Sequence, residues 1–156
     1  MVTSDLALRP ATFADADSVL LWRNDPLAVA NSRTPHPIEK PEHVSWFTTA
    51  IADPRQAIYI ALHDTTPVGY ARLTINLHEC SATVSIALAQ EWRGKRLAAP
   101  LIHRLSEHAH TRDVRTLLAM IKVSNTPSRR AFASCGFLVA DHSPDDWLIY
   151  RKDMRG

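Results

Sequence analysis

The chain is short of glycine, of cysteine and of long apolar runs. Four glycines occur among 156 residues, at positions 69, 94, 136 and 156, so a glycine-rich linker is excluded and those at 94 and 136 carry weight as punctuation. Two cysteines, Cys80 and Cys135, lie far apart without metal-ligand spacing; they argue against a disulfide framework, and reduced thiols are expected. No apolar stretch approaches membrane-spanning length. The start, "MVTSDLALRP", lacks a basic segment followed by an apolar one, so no signal peptide is expected and the protein is read as soluble, cytoplasmic and without a membrane partner. The net charge of +2 is too mild for a general nucleic-acid binder, and any anion site should be local.

What remains is an ordinary globular composition, 46% hydrophobic and 22% charged, read as one domain over residues 1–156. "DLALRPAT" reads as a strand stopped near Pro10. "TFADADSVLLWRND" reads as a helix capped by Thr12. From Asn24 to Pro41 the pattern is irregular. "PEHVSWFTTAIAD" is a second helix, with Val44, Phe47 and Ile51 spaced for one buried stripe. "QAIYIALHD" and "VGYARLTINLH" form a hairpin, and "SATVSIALA" is a third strand with Val84, Ile86 and Leu88 on one face. A helix then starts near Arg96 or Leu97, with Pro100 tolerated in its first turn. "TLLAMIKV" reads as a fully buried strand. "NTPSRRAFASCGF" reads as a helix with Thr126 as cap, Pro127 first and Gly136 at its left-handed exit. "FLVAD" and "DWLIYRKD" close the chain as strands. The order β-α-α-β-β-β-α-β-α-β-β defines a mixed α/β sheet with helices on both faces.

The most informative stretch is "QEWRGKRLAAP". Gly94 lets backbone approach a ligand, Arg93, Lys95 and Arg96 add charge, and the helix start after them presents free amides and a positive dipole end. A basic turn alone is usually solvated, but one set between a strand and an amphipathic helix points to phosphate. It is neither a P-loop nor a dinucleotide fingerprint, since the glycine spacing of both is absent. Because Arg96 opens a helix, ordinary helical dihedrals are expected there.

"VSIALAQEWRGKRLA" resembles the acetyl-CoA pyrophosphate motif of the GCN5-related N-acetyltransferases (GNAT), Arg/Gln-x-x-Gly-x-Gly/Ala, through Arg93, Arg96 and Ala98. "NTPSRRAFASCGF" resembles the family's second block through Asn125, Ser128, Gly136 and Phe137. The resemblance implies a mostly antiparallel twisted sheet of six to seven strands with about four helices and splayed central strands. It implies acetyl-CoA as cosubstrate and acetyl transfer to an amine without a covalent enzyme intermediate. Ile86, Ala87 and Leu88 would line the pantetheine arm, Gly94, Lys95, Arg96, Leu97 and Ala98 the pyrophosphate, and Asn125, Ser128 and Arg129 the flank of the cofactor.

Three positions depart from the family pattern. Thr83 stands where many relatives carry a glutamate base, Phe132 where many carry a tyrosine acid, and Arg96 in place of the loop's first glycine. Glu79, His78 and Ser134 are therefore the candidate catalytic groups, with His36 a further one. "LLWRNDPLAVANSR" and "EHVSWF" resemble the branch of the family acting on nucleotide-linked amino sugars and ribosomal-protein N-termini. That makes Trp22, Arg23, Asn24, Arg33, His36 and Trp46 candidate acceptor residues, core packing being the competing role for both tryptophans. The leading acceptor is a small amine, first a nucleotide-linked amino sugar; a protein N-terminus and a non-catalytic acyl-CoA-binding domain are the alternatives. A monomer or homodimer is expected. No metal is expected, because the histidines of the third helix lack matching ligands and His108 and His110 do not share a helical face. Cys135, at a helix end without thiol activation, reads as a packed residue.

Overall fold

The computed structural model describes residues 6–33 and 35–154; Asp5 of the first expected strand and Gly156 lie outside them. In chain order the elements are β1 (Leu6–Pro10), α1 (Ala16–Arg23), α2 (Pro26–Ala30), α3 (Lys40–Ala52), β2 (Gln56–His63), β3 (Thr66–Asn76), β4 (Ser81–Leu88), α4 (Ala98–His110), β5 (Thr116–Lys122), α5 (Thr126–Ser134), β6 (Leu138–Ser143) and β7 (Trp147–Asp153). The strands form one seven-stranded sheet in the order β1-β2-β3-β4-β5-β7-β6, antiparallel throughout except for the parallel β4–β5 pair. The mixed, mostly antiparallel sheet is thus as expected, with five helices where about four were.

The fifth is α2, inside the stretch read as irregular. Asp25 makes it: its carboxylate accepts from the amides of Leu27 and Ala28, and Pro26 takes the first position, where no amide is needed. Thr12 does open the first helical segment, where its amide donates to Asp15 Oδ2 at 2.8 Å and Arg9 holds the same carboxylate. At α5 the cap is Asn125 instead of Thr126: Asn125 Oδ1 accepts from the Ser128 amide, and Thr126 becomes the first helical residue. Gly136 leaves α5 at φ +91°, as its position predicted.

Strand alternation divides the core into two layers. Val84, Ala71, Leu73, Leu117 and Ala119 face α4 and α5, meeting Leu101, Ile102, Leu105 and Phe132. Ile58 and Ile60 face α1 and α3, meeting Val19, Trp22, Phe47 and Ala50. Each fully buried leucine of α4 contributes roughly 1.5–3 kcal/mol by leaving water. Two expectations about this core are corrected. The stripe of α3 is His43, Phe47 and Ala50, with Val44 and Ile51 at its margin, because His43 finds a buried acceptor. The strand β5 is not fully buried: Met120 is 41% exposed on the face turned from α4.

The β4–β5 ladder is short. Ser81, Ala82 and Thr83 pair with Thr116, Leu117 and Leu118, and beyond them both strands run on unpaired with each other. β4 is held from its other side by β3, in register from Asn76↔Ser81 to Gly69↔Leu88. At Gly69 the two strands touch so closely that an added Cβ would sit 2.1 Å from the Ala87 carbonyl oxygen. Gly69→Ala must therefore push β4 outward at Ala87, and we expect a loss of about 1–3 kcal/mol, the usual cost of overpacking. Urea unfolding of the variant measures it, and an unchanged midpoint would contradict the pairing of Gly69 with Leu88.

Candidate active site

The site is built around the unpaired part of β4. From Val84 to Leu88 the strand's β5-facing backbone groups have no strand to pair with. Ile86 and Leu88 pack toward the α4 layer, while Thr83, Ser85 and Ala87 turn to the α1–α3 face opposite Thr74, Arg72 and Tyr70. An extended chain entering this gap would meet free donors and acceptors along one edge.

β4 leads into the basic turn. Gly94 has φ +74° and Arg96 has φ +61°, so the expectation of helical dihedrals at Arg96 is corrected: the helix starts at Ala98, and Leu97 is its cap. The amides from Gly94 to Ala99 have no acceptor among the described residues. Left-handed residues in such a turn aim successive amides at a common point, which makes an anion-binding concavity. A Cβ at Gly94 would meet nothing within 4 Å, so the glycine is required by its dihedral and not by crowding. Leu97 is buried as an anchor, whereas Lys95 and Arg96 are exposed and free of ion pairs among the described residues.

The three cations of the turn do different work. Arg93 Nη2 lies 2.6 Å from Asp25 Oδ2, with both side chains largely covered. Burial pushes the Asp25 carboxyl up, but the Arg93 guanidinium and the α2 amides outweigh it and hold the group below its ordinary value. Arg93 is thus a strut between the turn and α2, leaving Lys95 and Arg96 to face solvent. On the second block, Arg129 donates from Nε to Tyr150 Oη at 3.1 Å and from Nη1 to the Val123 carbonyl at 3.0 Å. It clamps the end of β5 to β7. Ser128 stands half-buried beside Asn125 at the start of α5.

The proposed catalytic groups are not brought together. His78 and Glu79 lie in the β3–β4 turn, beyond the closed end of the gap, where the Glu79 amide donates to Asn76 Oδ1. The Ser134 hydroxyl is exposed and donates to Ala131 in its own helix. His36 is exposed beside the Pro37 carbonyl. Phe132 is buried edge-on against Phe137 and has no proton to give. Asn24 clamps the loop before α3 by exchanging hydrogen bonds with the backbone of Ile38 at 2.7 and 2.8 Å. Arg33 lies 4.7 Å above the Trp147 ring and 3.7 Å from Asp145. Trp22 is core, stacked on Tyr70 with centroids 6.3 Å apart.

Arg23 and Trp46, by contrast, meet two residues outside the candidates expected from sequence, Arg72 and His43. The Arg23 guanidinium lies 4.3 Å and that of Arg72 lies 5.2 Å from the centre of the Trp46 indole. Arg23 Nη1 donates to His43 Nδ1 at 3.0 Å, and His43 Nε2 donates to the Ala16 carbonyl at 2.8 Å. That pair of bonds fixes His43 as the neutral tautomer. Burial, with Arg23 adding to it, lowers the His43 pKa against the pull of the Ala16 carbonyl. Burial likewise lowers that of Arg23, and Arg72 pushes the same way. The signal for Arg72 was legible in principle: Tyr70, Arg72 and Thr74 alternate with Ala71, Leu73 and Ile75, placing an arginine on the inner part of a half-buried strand.

Comparison with known proteins agrees with this architecture. The model of the acetyltransferase (GNAT) domain family matches residues 5–138, and the chain belongs to that family. It is an acetyltransferase. An uncharacterised N-acetyltransferase of Mycobacterium tuberculosis is 26% identical over 90% of this chain and 98% of its own length. Among solved structures, the spermidine N-acetyltransferase of Vibrio cholerae in complex with CoA and spermine superposes with a TM-score of 0.82 at 20% identity, covering 94% of this chain and 92% of that one. An aminoglycoside acetyltransferase in complex with coenzyme A gives 0.82 at 17% identity, covering 96% and 95%. Both share the fold.

Two measurements test the local geometry. A side chain in the left-handed region costs about 1–2 kcal/mol more than glycine, partly offset by the roughly 0.4–1 kcal/mol by which glycine favours the unfolded chain. Arg96→Gly should therefore leave the chemical-denaturation midpoint unchanged or raise it slightly, and a marked fall would contradict φ +61° at that position. His43 titrates below its ordinary value of about 6.5, so its contribution is complete above that pH and is lost as the pH falls toward the lowered pKa. The stability difference between the native chain and His43→Gln should shrink between pH 7 and pH 5, roughly the window in which histidines titrate; a constant difference would remove His43 from this role.

Proposed function

We propose that this acetyltransferase uses acetyl-CoA as cosubstrate and transfers its acetyl group to a primary amine by direct attack in a ternary complex, in the branch that acts on nucleotide-linked amino sugars. The observation that carries the reading is the open edge of β4 ending in a turn with uncommitted amides. Ile86 and Leu88 hold the extended arm through their backbone, with Ala87 between them facing the acceptor. The amides from Gly94 to Ala98 hold the diphosphate, Lys95 and Arg96 add charge, and Asn125 and Ser128 flank the entrance. When bound, acetyl-CoA supplies an activated thioester open to a neutral amine, with a thiolate as leaving group.

The chain's part is placement. With Thr83 and Phe132 at the two usual acid–base positions, with Glu79 and His78 in the β3–β4 turn and Ser134 bonded within its own helix, none of the candidate side chains among the described residues is set to carry protons. The amine reaches the site neutral and its proton leaves through water. Orientation alone accounts for large accelerations when reacting atoms are held in register. A small acceptor fits the arginine-lined face better than a peptide N-terminus, for which an acidic groove or an open channel would be the matching surface.

Thiol release from acetyl-CoA, followed with amino-sugar nucleotides, polyamines and peptide N-termini as acceptors, tests the reading. We expect turnover with an amino-sugar acceptor and, for Lys95→Glu, a KM for acetyl-CoA raised roughly tenfold or more through the lost charged contact, with the melting temperature unchanged. Tight acetyl-CoA binding without turnover on any amine would instead make this a binding domain.

A further inference from the structure

Among the described residues the one buried side-chain nitrogen or oxygen without a hydrogen-bond partner is Arg72 Nε. A buried donor left unpaired costs on the order of 1–3 kcal/mol, so its presence marks either a defect or a waiting partner. Its surroundings distinguish the two. Arg23 and Arg72 share the Trp46 indole, and no carboxylate lies within ion-pair distance of either among the described residues. Six other arginines do meet a carboxylate: Arg9 with Asp15, Arg33 with Asp145, Arg55 with Asp53, Arg93 with Asp25, Arg104 with Glu107 and Arg151 with Asp153. Glu42 acts on Arg23 from a distance without touching it. Two half-buried guanidiniums over one indole, near enough for Arg72 to lower the Arg23 pKa, repel, and other groups are committed to holding them: the indole they share, and the His43–Ala16 relay that fixes one of them.

We propose that Arg72 and Arg23 form the subsite for an oxyanion, a phosphate or carboxylate carried by the acceptor. Arg72 lies directly opposite Ser85 in the β3–β4 register, one strand spacing, roughly 5 Å, from the free edge where the acetyl group is presented. An acceptor whose anion rests on Arg72 is therefore anchored within a few bonds of the reacting amine. A guanidinium presents a planar fork of donors matched to a carboxylate or phosphate, and the unpaired Nε completes such a fork. The inference rests on the acyl-transfer reading, to which it adds the acceptor's charge: an aminated phosphate ester or an amino acid, and not a polyamine.

The test separates the two claims by measuring binding apart from turnover. With the turn saturated by coenzyme A, inorganic phosphate and acetate are titrated against the full chain, Arg72→Gln and Arg23→Gln, with Trp46→Phe identifying the fluorescence of the reporting indole. At least one of the two ions should bind, and both glutamine variants should weaken it about 10-fold to 100-fold, the range for a hydrogen bond to a charged group. Stronger phosphate binding assigns a phosphate-bearing acceptor, and stronger acetate binding a carboxylate. Absence of saturable binding of either ion, or equal affinity in the native chain and both variants, overturns the subsite. An accompanying acceptor series of glucosamine, glucosamine 6-phosphate and muramic acid reads thiol release. Loss of release with every amine strikes at the acyl-transfer reading, while ion binding continues to judge the subsite.

Discussion

Thr83↔Leu118 is the last rung of the ladder that joins the two halves of the sheet. On one side lie β1 to β4, and on the other β5, β7 and β6. They meet through a short parallel pair and then part, so that the backbone of β4 from Val84 onward faces a gap. Unpaired backbone groups inside a fold are costly unless water or a ligand satisfies them. The fold tolerates them here because the rest of β4 is fixed from behind by β3 and from the α4 side by Ile86 and Leu88. The same separation that interrupts the ladder leaves Met120 open and sends the chain through its basic turn before α4 brings it back.

The opposite face of that gap follows a different logic, one of side chains instead of backbone. A carbonyl at Ala16 fixes a neutral histidine, the histidine fixes Arg23, and one indole is shared by Arg23 and Arg72. Each member satisfies the next, and the series ends on an arginine nitrogen with no partner. Polar networks of this kind are usually complete when buried, and this one stays open at its last member.

Much of this was legible in the residues. Alternation in "SATVSIALA", the amphipathic stripe of Leu101, Ile102 and Leu105, and the Pro127 and Gly136 punctuation located their elements because local rules and tertiary packing agree there. The failures share a cause. Arg96 looked like a helix opener, yet the turn needs a left-handed residue and the helix begins two positions later. Apolar periodicity in α3 favoured Val44 over His43, because no local signal tells that a histidine will find a carbonyl 27 positions back in the chain. "TLLAMIKV" read as buried on both faces because splaying of strands is not written in a strand's own composition. The basic turn after β4 was readable from spacing, whereas the cluster of Arg23, Trp46 and Arg72 is assembled from α1, α3 and β3, whose meeting is a tertiary event.

Arg93 and Asp25, sixty-eight positions apart and linked at 2.6 Å, give the molecule a property that neither site has alone. The carboxylate that starts α2 is the same one that steadies the turn ahead of α4. The helix α2 and the basic turn ahead of α4 therefore share one anchoring charge. A chain that remodelled α2 would loosen the turn, unless position 93 changed with it. The two segments are thus inherited together.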